Sequence, residues 1–528
     1  MVVATAVGLT VTAPLAGQAA ASSDQPGPAD TTRIRYYGGL GPSTRPISTS
    51  SDSAQLYFNE GRNWIYAFGV EYALNAFRAA QMHDPKCAMC YWGEAWANAP
   101  YLNGPASLEK QRRSYAAVQQ ALAHAEGASS VERALIDAFA VRFVEDPTAE
   151  ARKPLDSLYA RRMSEVHERF PDDLDVATLY GESLMLLRPR RGSVDLEAED
   201  VKAILPVLTG VLERDIRHPG ACHLYIHLVE ASEDPALAEA CSEYLGDMIA
   251  VSHIRHMPSH IYMNVGRYGD AVTSNQRAWH ADQMAEHDGP PGVYPSHNLH
   301  MLLFAAILDG QSAVAIQAAR DLSREQPSWG WYLPVTLAHF GRWDEVLELN
   351  GEAEDPFNEA MRRYSHGLAH LRTGDTIAAR ADLTYLDGVR ATLADSLRFR
   401  FHAQNEVLEI PAGILAGEIA LAVGDDHAVE LLRQAVAAED GLVYDEPEPW
   451  QQPTRHFLGA ALLDLGRAPE AEAVYREALE DHAGTGWALF GLEQALRAQE
   501  KSAEAEMVRA ERERSWARSD LWLRASRY

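Results

Sequence analysis

The chain has 528 residues, 47% hydrophobic and 23% charged, so it is long enough for several domains or one repeat array and too apolar for a disordered protein. Its 47 Lys and Arg against 75 Asp and Glu give a formal net charge of −28, which argues against nucleic-acid or anionic-membrane partners. Four cysteines are too few for a disulfide scaffold, and no apolar run reaches the length of a membrane-spanning helix.

The N-terminal segment predicts export to the periplasm or the extracellular space. Residues 1–21 are small and apolar and end in alanines that fit a signal-peptide cleavage site, although the usual basic start is missing. The alternative is a disordered apolar tail on a cytoplasmic protein. Residues 22–53 are rich in Ser, Pro, Gly and Thr and predict a disordered linker, so we expect folded structure over 54–528.

A helical-hairpin pattern recurs along this folded part. Gly459 and Gly466 are seven residues apart and Tyr475 follows them, and the same seven-residue spacing separates Ser259 from Gly266. In such a hairpin a small residue lets two helices approach, a turn glycine ends the first helix, and an aromatic side chain fills the seam. The pattern predicts an all-α fold of stacked helical hairpins.

These hairpins resemble the tetratricopeptide repeat (TPR), a helix-turn-helix unit of about 34 residues. The resemblance covers most of the chain and implies a right-handed α-solenoid with a concave inner groove. The strings HPGACHLYIH, starting at His218, and HMPSHIY, starting at His256, are also similar to a poorly characterised, often exported group of bacterial TPR proteins. That group implies a histidine-lined groove but no settled reaction.

Histidine is concentrated in one part of the chain, since ten of the 20 lie between His218 and His300. In three consecutive first helices, histidines recur at spacings of three, four or seven residues, which places them on one face of each helix. The resemblance to TPR proteins places this face on the concave groove. The histidines in this register are His223, His227, His253, His256, His260, His297 and His300.

Two acidic residues complete the predicted site, which falls within about 175–305. Glu230 follows His227 on the same helix face, and the repeat frame places Glu182 on the neighbouring helix. First helices pack about 8–10 Å apart, so imidazoles from neighbouring helices can converge on one ion. We predict one or two divalent transition-metal ions (iron, copper or zinc) bound by the seven histidines, with Glu230 or Glu182 as carboxylate ligand or catalytic base.

Two classes of function fit this pattern. The first is a metalloenzyme, and the excess of histidines over one zinc site favours a redox reaction of iron or copper over hydrolysis by zinc-bound water. The second is a non-catalytic scaffold that binds a peptide or partner protein in the groove. The predicted partner is thus a small molecule or a peptide, and we expect no nucleic acid and no membrane span. Five further residues are predicted substrate contacts in the groove, with core packing as the alternative: Phe58, Arg62, Trp92, Trp96 and Trp331.

The remaining features leave alternatives open. Cys87 with Cys90, and Cys222 with Cys241, are either disulfides or core packing. The acidic, proline-rich segment 444–450 predicts a solvated connector between hairpins.

Overall fold

The computed structural model describes residues 34–189, 192–285, 287–349, 353 and 355–528. The predicted signal segment 1–21 lies outside these residues. Regular structure in the described ranges is α-helical apart from three short 3-10 helices and one short antiparallel hairpin of β1 (Arg398–Phe399) and β2 (His402–Ala403), which the sequence did not predict. None of the described helices is both long enough and apolar enough to cross a membrane.

The helices before the histidine-rich part are α1 (Asp52–Tyr66), α2 (Val70–His83), α3 (Ala88–Ala97), α4 (Leu108–Ala123), α5 (Ser130–Ala140), α6 (Arg152–Arg169), α7 (Leu174–Met185) and α8 (Glu199–Arg214). The helices around the histidines are α9 (Pro219–Val229), α10 (Glu239–Leu245), α11 (Ser252–His256), α12 (Pro258–Asn264), α13 (Tyr268–Ala285) and α14 (Pro295–Leu308). The helices that follow are α15 (Ser312–Glu325), α16 (Tyr332–His339), α17 (Trp343–Glu348), α18 (Pro356–Thr373), α19 (Thr376–Thr392), α20 (Gln404–Ala422), α21 (Ala428–Asp440), α22 (Thr454–Asp464), α23 (Ala468–Asp481), α24 (Gly486–Ala498) and α25 (Ser502–Ser515).

Helices that are consecutive in the chain pack as pairs, and first helices also contact the first helices of neighbouring pairs, as in the series α18, α20, α22 and α24. The predicted turn residues Gly266 and Gly466 have positive φ angles of 76° and 71°, and Gly341 and Gly374, which also follow first helices, have positive φ angles of 66° and 93°. Residues with a Cβ atom rarely adopt this conformation, which explains why glycine ends the first helices. The predicted all-α solenoid of TPR-like hairpins is confirmed.

The seams between the helices are filled as the sequence predicted. The ring of Phe77 on α2 lies against both Gly61 and Gly93, and a Cβ atom at Gly61 would come within 2.7 Å of it. Near the other end of the chain, Tyr475 lies in the same way against Gly459 on α22 and Gly491 on α24. One aromatic side chain thus fills the space between two successive first helices.

Residues 34–51, the described part of the predicted linker, have no helix or strand but pack against the solenoid. Leu40 is buried in the core, and Arg45 forms ion pairs with Asp173 and Asp175 at the start of α7. This stretch is therefore bound to the helices along its length.

Two large apolar cores fill the molecule, one built from residues between Leu40 and Val293 and the other from residues between Tyr262 and Trp516. They adjoin at α12 to α14, where His260, His297 and His300 lie. The single helix expected to carry three of these histidines is broken into α11 and α12 at Pro258, whose ring nitrogen has no hydrogen to donate to the preceding turn. Both cysteine pairs, Cys87–Cys90 and Cys222–Cys241, are joined as disulfides.

Candidate metal centre

Six of the seven predicted histidines form two groups of three. In the first group α9 carries His223 and His227 one turn apart, and their Nε2 atoms face each other at 3.1 Å. His253, on the first turn of α11, completes this group, and the three side chains offer nitrogens that all lie within 4.8 Å of one another. All three residues are buried. We call this set the first triad.

The second triad has the same construction. His256 at the end of α11 and His260 on α12 are again four residues apart, and their Nε2 atoms face each other at 2.8 Å. His297, at the start of α14, supplies the third nitrogen within 4.8 Å. The His253 and His256 rings stack at a centroid distance of 5.7 Å, so the two triads are in contact.

Two of the facing imidazoles are oriented by hydrogen bonds from Nδ1 to uncharged oxygens. His223 Nδ1 lies 2.6 Å from the backbone oxygen of Tyr66, and His256 Nδ1 lies 2.7 Å from Oδ1 of Asn275. Asn275 donates its own Nδ2 hydrogen to the Ala271 carbonyl, so its Oδ1 is the atom that accepts. Because a carbonyl oxygen only accepts, the hydrogen of each ring sits on Nδ1 and the lone pair is on Nε2.

Glu230 orients one histidine from each triad. Its Oε1 lies 2.8 Å from His227 Nδ1 and its Oε2 lies 2.5 Å from His260 Nδ1. The carboxylate is buried, and as an acceptor it places the Nδ1 hydrogen on both rings. A carboxylate or carbonyl partner on the second ring nitrogen is the usual arrangement around metal-binding histidines, and all four facing histidines have one.

Burial favours the uncharged form of three of these imidazoles. Loss of solvent, and after it the neighbouring imidazoles, holds the pKa of His253, His256 and His297 well below the usual value. Both ring nitrogens of His253 are buried without a hydrogen-bond partner. Neutral imidazole is the form that can bind a metal ion.

The other two predicted members of the site lie apart from the triads. His300 Nδ1 lies 3.2 Å from the Arg400 guanidinium, and its ring packs between Trp329 and Tyr332. Glu182 belongs to none of the candidate ligand groups, and burial raises its pKa to about 7 against the opposing effect of Arg142. Neither residue is therefore placed to bind the same ion as the triads.

The five predicted substrate contacts are corrected by the structure, because they pack in the core instead of lining an open groove. Arg62 bonds to the buried carboxylate of Asp175, and Trp331 stacks on Tyr332. All five residues are at most 6% exposed, namely Phe58, Arg62, Trp92, Trp96 and Trp331. The burial of all five side chains favours the core alternative.

The prediction of a solvated connector at 444–450 is wrong, and the segment supplies a carboxylate that the sequence did not assign to the site. Asp445 is buried and pairs with Arg400 at 2.6 Å, which holds the segment inside the solenoid. Glu446 is also buried, with Oε2 3.6 Å from His260 Nδ1, and it forms a third candidate ligand group with His227 and Glu230. No spacing in the sequence connects Glu446 to histidines about 190 residues earlier.

Aromatic side chains cover the first triad. The Phe68 ring lies 4.2 Å from that of His223 and is parallel to that of His227 at 5.7 Å. Phe68 and Tyr294 both have a φ angle of 58°, a backbone conformation that costs energy for residues with a Cβ atom. The hydroxyl groups of Tyr294 and Tyr101 form a hydrogen bond of 2.6 Å. The Tyr294 ring lies 5.0 Å from that of His253, so the two aromatic rings cover part of the first triad.

No protein-family model matches the chain, and no curated protein matches it significantly. Among solved structures, the TPR domain of P58(IPK) is 12% identical, with 85% of this chain and 99% of that chain covered and a TM-score of 0.21. Yeast Tom70 is 10% identical (87% and 90% covered, TM-score 0.27), and the human IFIT1 dimer with m7Gppp-AAAA is 9% identical (88% and 90% covered, TM-score 0.29). Similarities this low carry no argument about activity. The chain is an all-α, TPR-like solenoid on the strength of its own hairpins.

Proposed function

We propose that this protein is a metal-dependent enzyme with two ions, one bound by each histidine triad through Nε2 atoms. The proposal rests on imidazole nitrogen lone pairs that point towards each other within each triad. In both triads two Nε2 atoms lie about 3 Å apart while the Nδ1 atoms of the same rings hydrogen-bond to oxygens. Lone pairs that face each other in a buried site repel unless a cation lies between them, and a metal ion removes this repulsion.

The spacing agrees with ligation of one ion by each pair. With metal–nitrogen bonds of about 2.1 Å, separations of 3.1 and 2.8 Å correspond to nitrogen–metal–nitrogen angles of about 95° and about 85°. Three imidazoles without carboxylate favour copper, zinc or iron over manganese or magnesium, which prefer oxygen. We favour oxidation chemistry at a redox metal, because two adjacent triads exceed the three histidines of one catalytic zinc site, and hydrolysis is the second candidate.

The scaffold alternative is less well supported. The segment after Tyr444 covers part of the inner surface on which a TPR-like groove would bind a peptide. The Tyr332 hydroxyl donates to the Pro449 carbonyl at 3.4 Å, and that of Tyr364 donates to the Gln452 side chain at 2.6 Å. Trp450 is buried against Tyr364. An extended peptide would have to displace this segment before it could bind to α16 and α18.

The proposal is tested by metal analysis of protein purified without a histidine tag. We expect about two equivalents of metal in the wild type and about one each in His227→Ala and His260→Ala, which remove one ligand from the first and the second triad. His427→Ala is the matched control, because this histidine is 82% exposed and remote from both triads in the chain. Equal metal content in all four proteins, or none in the wild type after incubation with Cu²⁺, Zn²⁺ and Fe²⁺, would contradict the proposal.

A further inference from the structure

A cleft leads from the second triad to the surface. Its inner part is bounded by His260 and Glu446, and its outer part extends past Tyr444 to Leu442 and Arg455. The two parts are continuous, since they share the side chains of Asn264, Tyr444, Glu448, Asp481 and His482. A molecule in this cleft would therefore contact a proposed metal-binding histidine at its inner end.

The inner wall of the cleft is apolar. Met301, Phe304 and Leu308 lie one helical turn apart along α14, and Met263 on α12 faces the same space. The three α14 residues are each at most 4% exposed, so they form a fixed surface that is shielded from water. Such a wall suits a hydrocarbon or aryl group, because burial of apolar area contributes about 25 cal/mol per Å².

The cleft carries more acidic than basic groups despite this apolar wall. Two cationic side chains line it, and both already have acidic partners: His482 pairs with Glu448 at 3.1 Å, and Arg455 pairs with Asp440 at 2.6 Å. A third cation, Arg400, pairs with the lining carboxylate of Asp445 at 2.6 Å. Burial opposes the charge of His482, but Glu448 outweighs it and raises the pKa of His482 to about 9. The carboxylates along the cleft outnumber these cations and are Glu439, Asp440, Asp445, Glu446, Glu448 and Asp481.

From these contacts we infer that the cleft is the substrate-binding site of the proposed enzyme and takes an organic amine, an ammonium group attached to an apolar alkyl or aryl body. The apolar body lies against Met301 and Phe304, and the carboxylates attract the ammonium group. Glu446 is the carboxylate nearest the histidines in this wall, so it contacts the amine on the Nδ1 side of the His260 ring, with the proposed ion at Nε2 of the same ring. An organic acid of the same shape is repelled by the same field.

The inference rests on the proposed function, and its test uses a pair of probes that differ in charge. Binding of 4-phenylbutylamine and 4-phenylbutyrate to the full, metal-loaded chain is measured by calorimetry. We expect the amine to bind at least tenfold more tightly than the acid, and added salt to weaken its binding. Glu446→Gln should lower amine affinity at least fivefold, whereas Glu511→Gln, which removes one exposed carboxylate on α25, should not.

Equal binding of the two probes, or binding of neither, would overturn the inference whatever the variants do. An equal effect of Glu446→Gln and Glu511→Gln would also overturn it, because the amine would then respond only to the net charge of the protein. Metal analysis of the same samples keeps the two proposals apart. Two metal equivalents without amine binding refute the cleft alone, whereas amine binding without metal refutes the enzyme and leaves a cleft that binds amines.

Discussion

Replacing Glu230 by Gln is expected to weaken both metal sites at once. The carboxylate accepts hydrogen bonds from His227 and from His260, one on each oxygen. An amide keeps only one acceptor oxygen and carries no charge, so one imidazole loses the partner that fixes its tautomer and the other keeps only a weaker, uncharged acceptor. Loss of such a partner lowers metal affinity about 10- to 100-fold, which is about 1.4 to 2.8 kcal/mol.

The comparison variant is Asn275→Leu, which removes the acceptor of His256 alone and should weaken only the ion of the second triad. Competition with a chelator gives the dissociation constant of each ion in the wild type and in both variants. We expect two weakened ions in Glu230→Gln and one in Asn275→Leu. If Glu230→Gln retains both ions at wild-type affinity, the assignment of the Nδ1 atoms to hydrogen bonding and the Nε2 atoms to metal is refuted.

Three further outcomes are expected. Glu182→Gln should leave metal content unchanged. The folded protein raises the pKa of Glu182 from 4.5 to about 7, so ionisation of this residue disfavours the folded state. In urea titrations the wild type should therefore lose stability relative to this variant as pH rises from 5 to 8. Gly220→Ala should lower stability by about 1–3 kcal/mol in the same assay and weaken the first triad selectively, because the new Cβ would collide with the ring of Tyr66, whose carbonyl orients His223. Arg400→Met should cost about 3–5 kcal/mol and expose the segment around Asp445 to limited proteolysis, because it leaves this buried carboxylate without its guanidinium.

The repeat frame could be predicted from sequence because its determinants are local. Positive φ at Gly266 and Gly466 requires glycine, and a small residue opposite Tyr475 is needed for close helix packing, so both appear as fixed spacings in the chain. The same holds for the histidines. Residues four apart lie on one helix face, which brings His223 to His227 on α9. His256 and His260 also face each other, although Pro258 divides their helix into α11 and α12.

What could not be predicted depends on contacts between distant parts of the chain. The Trp331 ring stacks on that of Trp450 at a centroid distance of 6.5 Å, and no local spacing in the sequence connects these two residues. Glu446 lies next to His260 because Arg400 binds the neighbouring residue, Asp445. Arg400 and Asp445 are 45 residues apart in the chain, and both are farther than that from the triads. His300 has the same helical register as the proposed ligands but lies apart from the triads. Helical register determines the face of the helix on which a residue lies, and it does not determine where that residue lies in the folded protein.

The most direct test of the two-ion centre is a crystal structure of the metal-loaded protein with anomalous diffraction at the absorption edge of the bound metal. We expect two anomalous peaks, one bonded to Nε2 of His223 and His227 and one bonded to Nε2 of His256 and His260. A single peak on the opposite side of the rings, bonded to Nδ1 of His227 and to Glu230 and Glu446, would contradict the two-triad account, as would the absence of any peak in protein incubated with Cu²⁺, Zn²⁺ or Fe²⁺.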